Sequence, residues 1–205
     1  MRPVTGNNNT STDVNKVSVR IDSGGHSFSV DTLPAKAFED GVTVEFAVIT
    51  HKSVLVPSEC LDAGDAANWL SVSGLACNSY EQPLCIVSGR HTVVAAVAKT
   101  AVEDIAAKIG ERAEFTSPLL SHYDSDGKKL HICTFGNVSY FKLYEDNRLR
   151  FAEAFKTAGE DDILYYAQGL NTHFGLSGYL IYIYGDRSAE TAKLLKRYFK
   201  GVRCE

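Results

Sequence analysis

His131 and Cys133 stand two residues apart in Leu130-His131-Ile132-Cys133-Thr134-Phe135, so on a strand they share one face. A metal needs more ligands than these two. They read as core or half-exposed strand residues. The other histidines, His26, His51, His91, His122 and His173, are scattered, and no spacing pairs one with a nucleophile. The five cysteines, Cys60, Cys77, Cys85, Cys133 and Cys204, are odd in number and form no CxxC pair. A disulfide framework or a zinc site is not expected, and they read as reduced, mostly buried small hydrophobes. The sequence assigns no catalytic residue, no metal ligand and no cofactor. Lys193, Lys196, Arg197 and Lys200 recur at helical spacing and predict a basic stripe on the last helix, opposite Leu194, Leu195 and Tyr198. Such a stripe reads as a solvated face. A formal charge of −4 argues against binding nucleic acid through bulk charge, and no recognised binding motif is present.

The elements that must position these residues read as one order used twice. In the C-terminal half, Leu130–Phe135 and Val138–Tyr144 flank Gly136-Asn137, a dipeptide that tolerates positive φ and marks a hairpin. Glu145-Asp146-Asn147 turns the chain into a third strand, Arg148–Phe155. Ile163, Ala167, Leu170 and Phe174 then fall on one helical face, after acids that favour a helix N-terminus. Tyr179–Tyr184 reads as a buried strand. Gly185-Asp186 turns, Ser188 caps a helix over Ala189–Lys200, Gly201 stops it, and Val202–Cys204 closes as a short strand.

In the N-terminal half, Val17–Ile21 leads through Asp22-Ser23-Gly24-Gly25 into Ser27–Val30, and a third run spans Val42–Ile49. Ser58 is placed to cap a helix running through Leu70. Ser73–Gln82 reads as loop, Thr92–Ala98 as a strand, Thr100–Ile109 as a helix ended by Gly110, and Glu111–Phe115 as a strand. Residues 1–15 hold almost nothing apolar and predict a disordered tail. The expected division is a first lobe over 16–118 and a second over 119–205, each running strand-strand-strand-helix-strand-helix-strand, with Tyr123–Gly127 as the polar link. Of 205 residues, 44% are hydrophobic and 22% charged, which suits an α/β fold with a packed core. No apolar signal region opens the chain, and no run approaches about 18 apolar residues. The reading is a soluble, cytoplasmic protein with no membrane contact.

That duplicated order resembles the actin-like ATPase fold, two ribonuclease-H-like lobes facing each other over a cleft. Phe155-Lys156-Thr157, Glu160–Tyr166, Phe174-Gly175-Leu176, Leu180–Gly185 and Leu195–Phe199 resemble a family of uncharacterised bacterial proteins, a domain of unknown function with an actin-like fold. Val17–Val30 and Val54-Leu55-Val56-Pro57 resemble that family's start. The family carries no established activity.

The resemblance implies where a nucleotide would sit. Working members of the superfamily hold phosphates on two Gly turns, whose N–H groups reach phosphate oxygens while an Asp orders Mg²⁺ through water. Asp22-Ser23-Gly24-Gly25 resembles the first turn, although Asp and Gly are also ordinary turn residues. The second corresponds to Thr134, Phe135, Gly136 and Asn137, without the carboxylate. The adenosine-side loop corresponds to Gly185, Asp186, Arg187 and Ser188, with one Gly and a bulky Arg. The resulting expectation is a degenerate, non-catalytic relative that works as a binding or scaffold protein, with an unknown protein partner or a second copy. The alternative is an ATPase or phosphotransferase that uses Asp22 in the interlobe cleft.

Overall fold

The computed structural model describes residues 15–62 and 64–205, and the tail expected over 1–15 lies almost wholly outside them. The chain divides into two compact units, one reaching Ser121 and the other spanning His122–Glu205.

In the first unit β1 (Lys16–Ile21) is followed by β2 (Thr43–Val48), β3 (Ser53–Pro57), α1 (Ala66–Val72), β4 (Glu81–Ser88), β5 (His91–Ala98), α2 (Lys99–Lys108) and β6 (Ala113–Thr116). β1, β2 and β6 form a parallel sheet in the order β1-β2-β6, and β3, β5 and β4 form an antiparallel one in the order β3-β5-β4. Strict alternation puts Val44, Phe46 and Val48 of β2 into the core. β5 is buried from Thr92 to Ala98, as suits the central strand of its sheet.

This unit departs from the expected order. Asp22–Gly25 is not a hairpin turn, because β1 and β2 run parallel and a two-residue turn cannot join parallel strands. Ser27–Val30 is not a strand; the connection folds as short 3-10 turns at Asp22–Gly25, Val30–Thr32 and Ala35–Phe38. Ser58 does not cap a helix. It opens a 3-10 turn, Ser58–Cys60, its N–H donates to Arg90 O (2.9 Å) and its hydroxyl meets Thr92 Oγ1 (2.9 Å), while the helix begins at Ala66. Neither β3 nor β4 is among the strands expected from the sequence.

The second unit follows the expected order. β7 (Lys128–Phe135), β8 (Val138–Glu145) and β9 (Arg148–Lys156) form an antiparallel meander; α3 (Glu160–Phe174), β10 (Leu180–Gly185), α4 (Ser188–Leu195) and β11 (Val202–Cys204) complete it. The sheet order is β11-β10-β7-β8-β9, with β10 parallel to both β7 and β11. Leu130, Ile132, Phe141, Leu143, Ile181 and Ile183 line one face and pack on Ile163, Ala167 and Leu170 of α3 and Ala192 and Leu195 of α4. Full burial of such side chains contributes roughly 1.5–3 kcal/mol each. The Asp162 carboxylate accepts from the N–H groups of Ala158 (2.6 Å) and Gly159 (3.3 Å) at the start of α3, and Gly175 ends the helix at φ +63°.

Two surface expectations change. α4 stops at Leu195, so Lys196, Arg197 and Lys200 lie beyond it; the basic residues are not one helical face, and Tyr198, expected opposite them, is 58% exposed. Of the cysteines only Cys133 is buried; Cys60, Cys85 and Cys204 are exposed, and all are free thiols.

Candidate functional site

Six of the residues singled out from the sequence, Thr134, Gly136, Asn137, Gly185, Asp186 and Arg187, meet at the carboxyl ends of β7 and β10, which are parallel neighbours. Gly185 pairs with Thr134 across them. The Asp186 N–H donates to Thr134 O (2.9 Å), the Thr134 hydroxyl donates to Tyr184 O (3.0 Å), and the Arg187 N–H donates to Thr134 Oγ1 (3.1 Å). Gly185 sits at φ +94°, and a Cβ there would overlap the Thr134 carbonyl, so only Gly allows the strands to close this tightly. Asn137 O accepts from the Thr157 N–H (2.8 Å), which ties the β7–β8 turn to the exit of β9. The Asp186 carboxylate accepts from the Gly136 N–H (3.2 Å). A carboxylate from the turn that follows β10 thus occupies an N–H of the Gly136-Asn137 turn.

Arg187 closes this corner. Its Nη2 donates to Thr157 O (3.2 Å) and Oγ1 (3.0 Å), and Nη1 lies 3.8 Å from Glu160 Oε1. Thr157 Oγ1 also meets Ser139 Oγ (2.8 Å). Arg187 Nε and Thr191 Oγ1 are buried without a hydrogen-bond partner among the described residues.

Asp22, Ser23, Gly24 and Gly25 lie in the other unit. Ser23, Gly24 and Gly25 all have positive φ. Asp22 and Ser23 are exposed, and Asp22 lies 3.6 Å from Arg20 Nε. The glycines face inward. A Cβ on Gly24 would stand 2.8 Å from Ala96 O, and one on Gly25 2.8 Å from Ala101 Cβ. They let this turn pack against β5 and α2, and the Gly24 N–H donates to Ile49 O (2.9 Å).

An ion-pair network engages His26, the residue that follows this turn. Glu81, 6% exposed at the start of β4, accepts from Lys52 Nζ (2.7 Å), from the Asn78 N–H (2.7 Å) and from His26 Nε2 (3.0 Å). Burial works against its charge, but the Asn78 N–H, Lys52 and His26 outweigh burial and hold the carboxyl below its ordinary range. No sequence signal marks this group, because its members are far apart in the chain.

The sheet face of the second unit opposite its helices carries a second unanticipated cluster. Lys142, His131, Tyr182 and Arg203 stand in register across β8, β7, β10 and β11. His131 is stacked between Tyr123 (4.7 Å) and Tyr182 (5.2 Å); its Nδ1 meets Tyr184 Oη (3.1 Å) and its Nε2 meets Asp124 O (2.9 Å). Tyr123 and Asp124, read as link residues, are thus pinned to the sheet, and Lys129 pairs with Asp124. Lys142 Nζ lies 5.5 Å from the Tyr123 ring centre and 5.7 Å from that of Tyr144. Burial pushes His131 down to about 4, Lys142 down to about 8 and Tyr144 up to about 12. The alternation Tyr140-Phe141-Lys142-Leu143-Tyr144 was the available signal, since it sends the polar set to one face.

The turn N–H groups to which the resemblance would assign phosphate are engaged within the chain. The Gly136 N–H is bonded to Asp186, whose carboxylate would face a phosphate, and the Gly24 N–H is spent within its own unit. Among the described residues no three His, Cys, Asp or Glu side chains converge as a metal-ligand set.

No protein-family model matches the sequence, and no curated protein matches it significantly. Among solved structures, the chain is similar to a Bacteroides thetaiotaomicron protein with actin-like ATPase fold and unknown function, at 13% identity and a TM-score of 0.72 over 84% of this chain and 72% of that one. That likeness shows an actin-like ATPase fold and agrees with the resemblance read from the sequence. A PilM–PilN type IV pilus biogenesis complex (12% identity, TM-score 0.42, 80% of this chain and 69% of that one) also matches. So does the cytoplasmic domain of EpsL, an inner membrane component of the type II secretion system of Vibrio cholerae, at 12% identity and a TM-score of 0.42 over 82% of this chain and 80% of that one.

Proposed function

We propose that this chain is a non-catalytic binding or scaffold protein on an actin-like fold whose nucleotide loops are vestigial. In this reading the units are two ribonuclease-H-like lobes, and the first has exchanged the hairpin of the ancestral order for 3-10 turns. One observation carries it: Asp186 occupies the Gly136 N–H with a carboxylate, in the turn where a nucleotide-dependent relative would present N–H groups to a phosphate. An anion arriving there would have to displace a side chain of its own sign. Phosphoryl transfer depends on positioning and on a metal that neutralises the phosphates. Asp22 alone is a thin basis for holding that metal. The function left to such a fold is recognition of a protein partner or of a second copy.

A thermal-shift screen of the full chain with ATP, ADP and GTP, each with Mg²⁺, tests this. A ligand bound only by the folded state at 100 times its dissociation constant stabilises it by about 2.7 kcal/mol. The expected result is no shift with any nucleotide. A dose-dependent shift that requires Mg²⁺ would favour the ATPase or phosphotransferase alternative.

A further inference from the structure

An aromatic groove of about 360 Å³ runs between β9 and α3, along the outer edge of the second unit's sheet. β9 is the last strand in its order, and no described strand pairs with its other side. Phe151, Glu153 and Phe155 of β9 face the helix side of the sheet, with Phe141 directly opposite Glu153 on β8. A strand that alternates around apolar partners should carry a third apolar residue here. It carries an exposed carboxylate instead, and no cation lies within ion-pair distance of Glu153 among the described residues. Partial desolvation raises its pKa, a shift that a cation brought beside it would oppose.

The opposite wall belongs to α3. Tyr166 stacks on Phe155 at 3.9 Å, and Tyr165 stands 74% exposed beside it. Gly169 lies at the centre of the helix and lines the groove one turn on from Tyr165. Gly in a helix interior costs about 1 kcal/mol relative to Ala. Nothing lies within 4 Å of the position its Cβ would take, so close packing does not explain it. It leaves a recess between Tyr165 and the edge strand.

We propose that this groove binds an extended, basic segment of a partner protein, which adds to β9 as a sixth strand and places a Lys or Arg side chain against Glu153 between the aromatic rings. The charge complementarity is direct: an exposed carboxylate with no cation within ion-pair distance among the described residues, flanked by aromatic faces that themselves attract cations. An added strand hydrogen-bonds through the free edge of β9, and its alternate side chains enter the groove. The inference rests on the binding-protein reading above and names its site and partner chemistry.

The test is selection of a displayed library of random 12-residue peptides against the full chain, followed by fluorescence-polarisation titration of a selected peptide. The expected peptides carry one Lys or Arg with apolar residues two positions to either side. Glu153→Gln should weaken binding about tenfold, the effect of losing a charge-assisted contact, and Tyr165→Ala should weaken it comparably. Gly169→Ala should weaken binding while its thermal midpoint stays equal or rises, a split that a merely structural role would not give. No enriched peptide, an acidic consensus, or binding unchanged in Glu153→Gln would overturn the proposal. Self-association in sedimentation that Glu153→Arg abolishes would assign the groove to a second copy and overturn it as well. Mg·ATP binding would contradict the non-catalytic reading without altering the peptide result, and failure to select a peptide would leave that reading standing.

Discussion

At the scale of single residues, Gly185 and Gly136 separate two reasons for a glycine. Both have positive φ, but only Gly185 lies where a Cβ would overlap backbone. Gly185→Ala should cost about 3 kcal/mol or more through strain and displaced strands. Gly136→Ala, with nothing within 4 Å of its Cβ position, should cost only the left-handed backbone penalty of about 1–2 kcal/mol. Urea unfolding at unchanged m-value measures both, and equal costs would contradict the packing seen at Thr134. Glu81 is the second residue-scale test. Removing it leaves His26 and the Asn78 N–H without this acceptor and Lys52 with Ala76 O (3.3 Å), so Glu81→Ala should destabilise by about 2 kcal/mol, less than a fully buried pair because Lys52 and His26 keep some solvent. A loss below about 1 kcal/mol would show the network to be incidental.

At the scale of elements, the row Lys142–His131–Tyr182–Arg203 makes stability depend on pH. His131 is 2% exposed and is held down to about 4 from an ordinary 6.5. Between those values the unfolded chain binds the proton and the folded chain does not. Stability is therefore complete above pH 6.5 and falls as pH drops towards 4, by on the order of 3 kcal/mol from this group. Glu81 acts in the same direction: its depressed carboxyl contributes above its ordinary 4.5 and loses that contribution as pH falls further. Lys142, lowered to about 8 from 10.5, adds stability as pH rises across that window. Tyr144 and Tyr184, raised by burial, withdraw stability as pH climbs above their ordinary 10. Denaturant titrations at intervals from pH 4 to 7.5 should show a rising limb in the parent that His131→Phe flattens; a parallel limb in that variant would show that His131 is not its source.

The elements also show what the sequence made legible. β7 to β11 were readable because each keeps its period: Leu130 and Ile132 alternate with His131 and Cys133, and Ile163, Ala167 and Leu170 hold one helical stripe. Gly175 marks a real helix end, whereas α4 stops at Leu195, six residues before Gly201. In the first unit Ser27-Phe28-Ser29-Val30 also alternates, but the run of positive φ at Ser23–Gly25 redirects the chain and the segment folds as turns. β4 carries Pro83, which is compatible with its place at the edge of its sheet. The Gly136, Gly185 and Asp186 corner was found because turns announce themselves through Gly and Asp. The hydrogen bond from Gly136 to Asp186 joins turns fifty residues apart, and only the fold brings them together.

At the scale of the molecule, the chain has an actin-like ATPase fold, and among its described residues no helix is long and apolar enough to cross a membrane. Two sets of Gly turns lie on two compact units, and each set is engaged by its own unit: Gly24 by Ile49, Gly136 by Asp186. On the scaffold reading proposed above, packing alone accounts for Gly24, Gly25 and Gly185. Isothermal titration calorimetry of the full chain with Mg·ATP, beside the Asp22→Ala variant, tests that account most directly. The account predicts no saturable heat in either protein up to about 1 mM nucleotide, a limit near −4 kcal/mol of binding free energy. Micromolar binding by the parent that disappears in Asp22→Ala would contradict it.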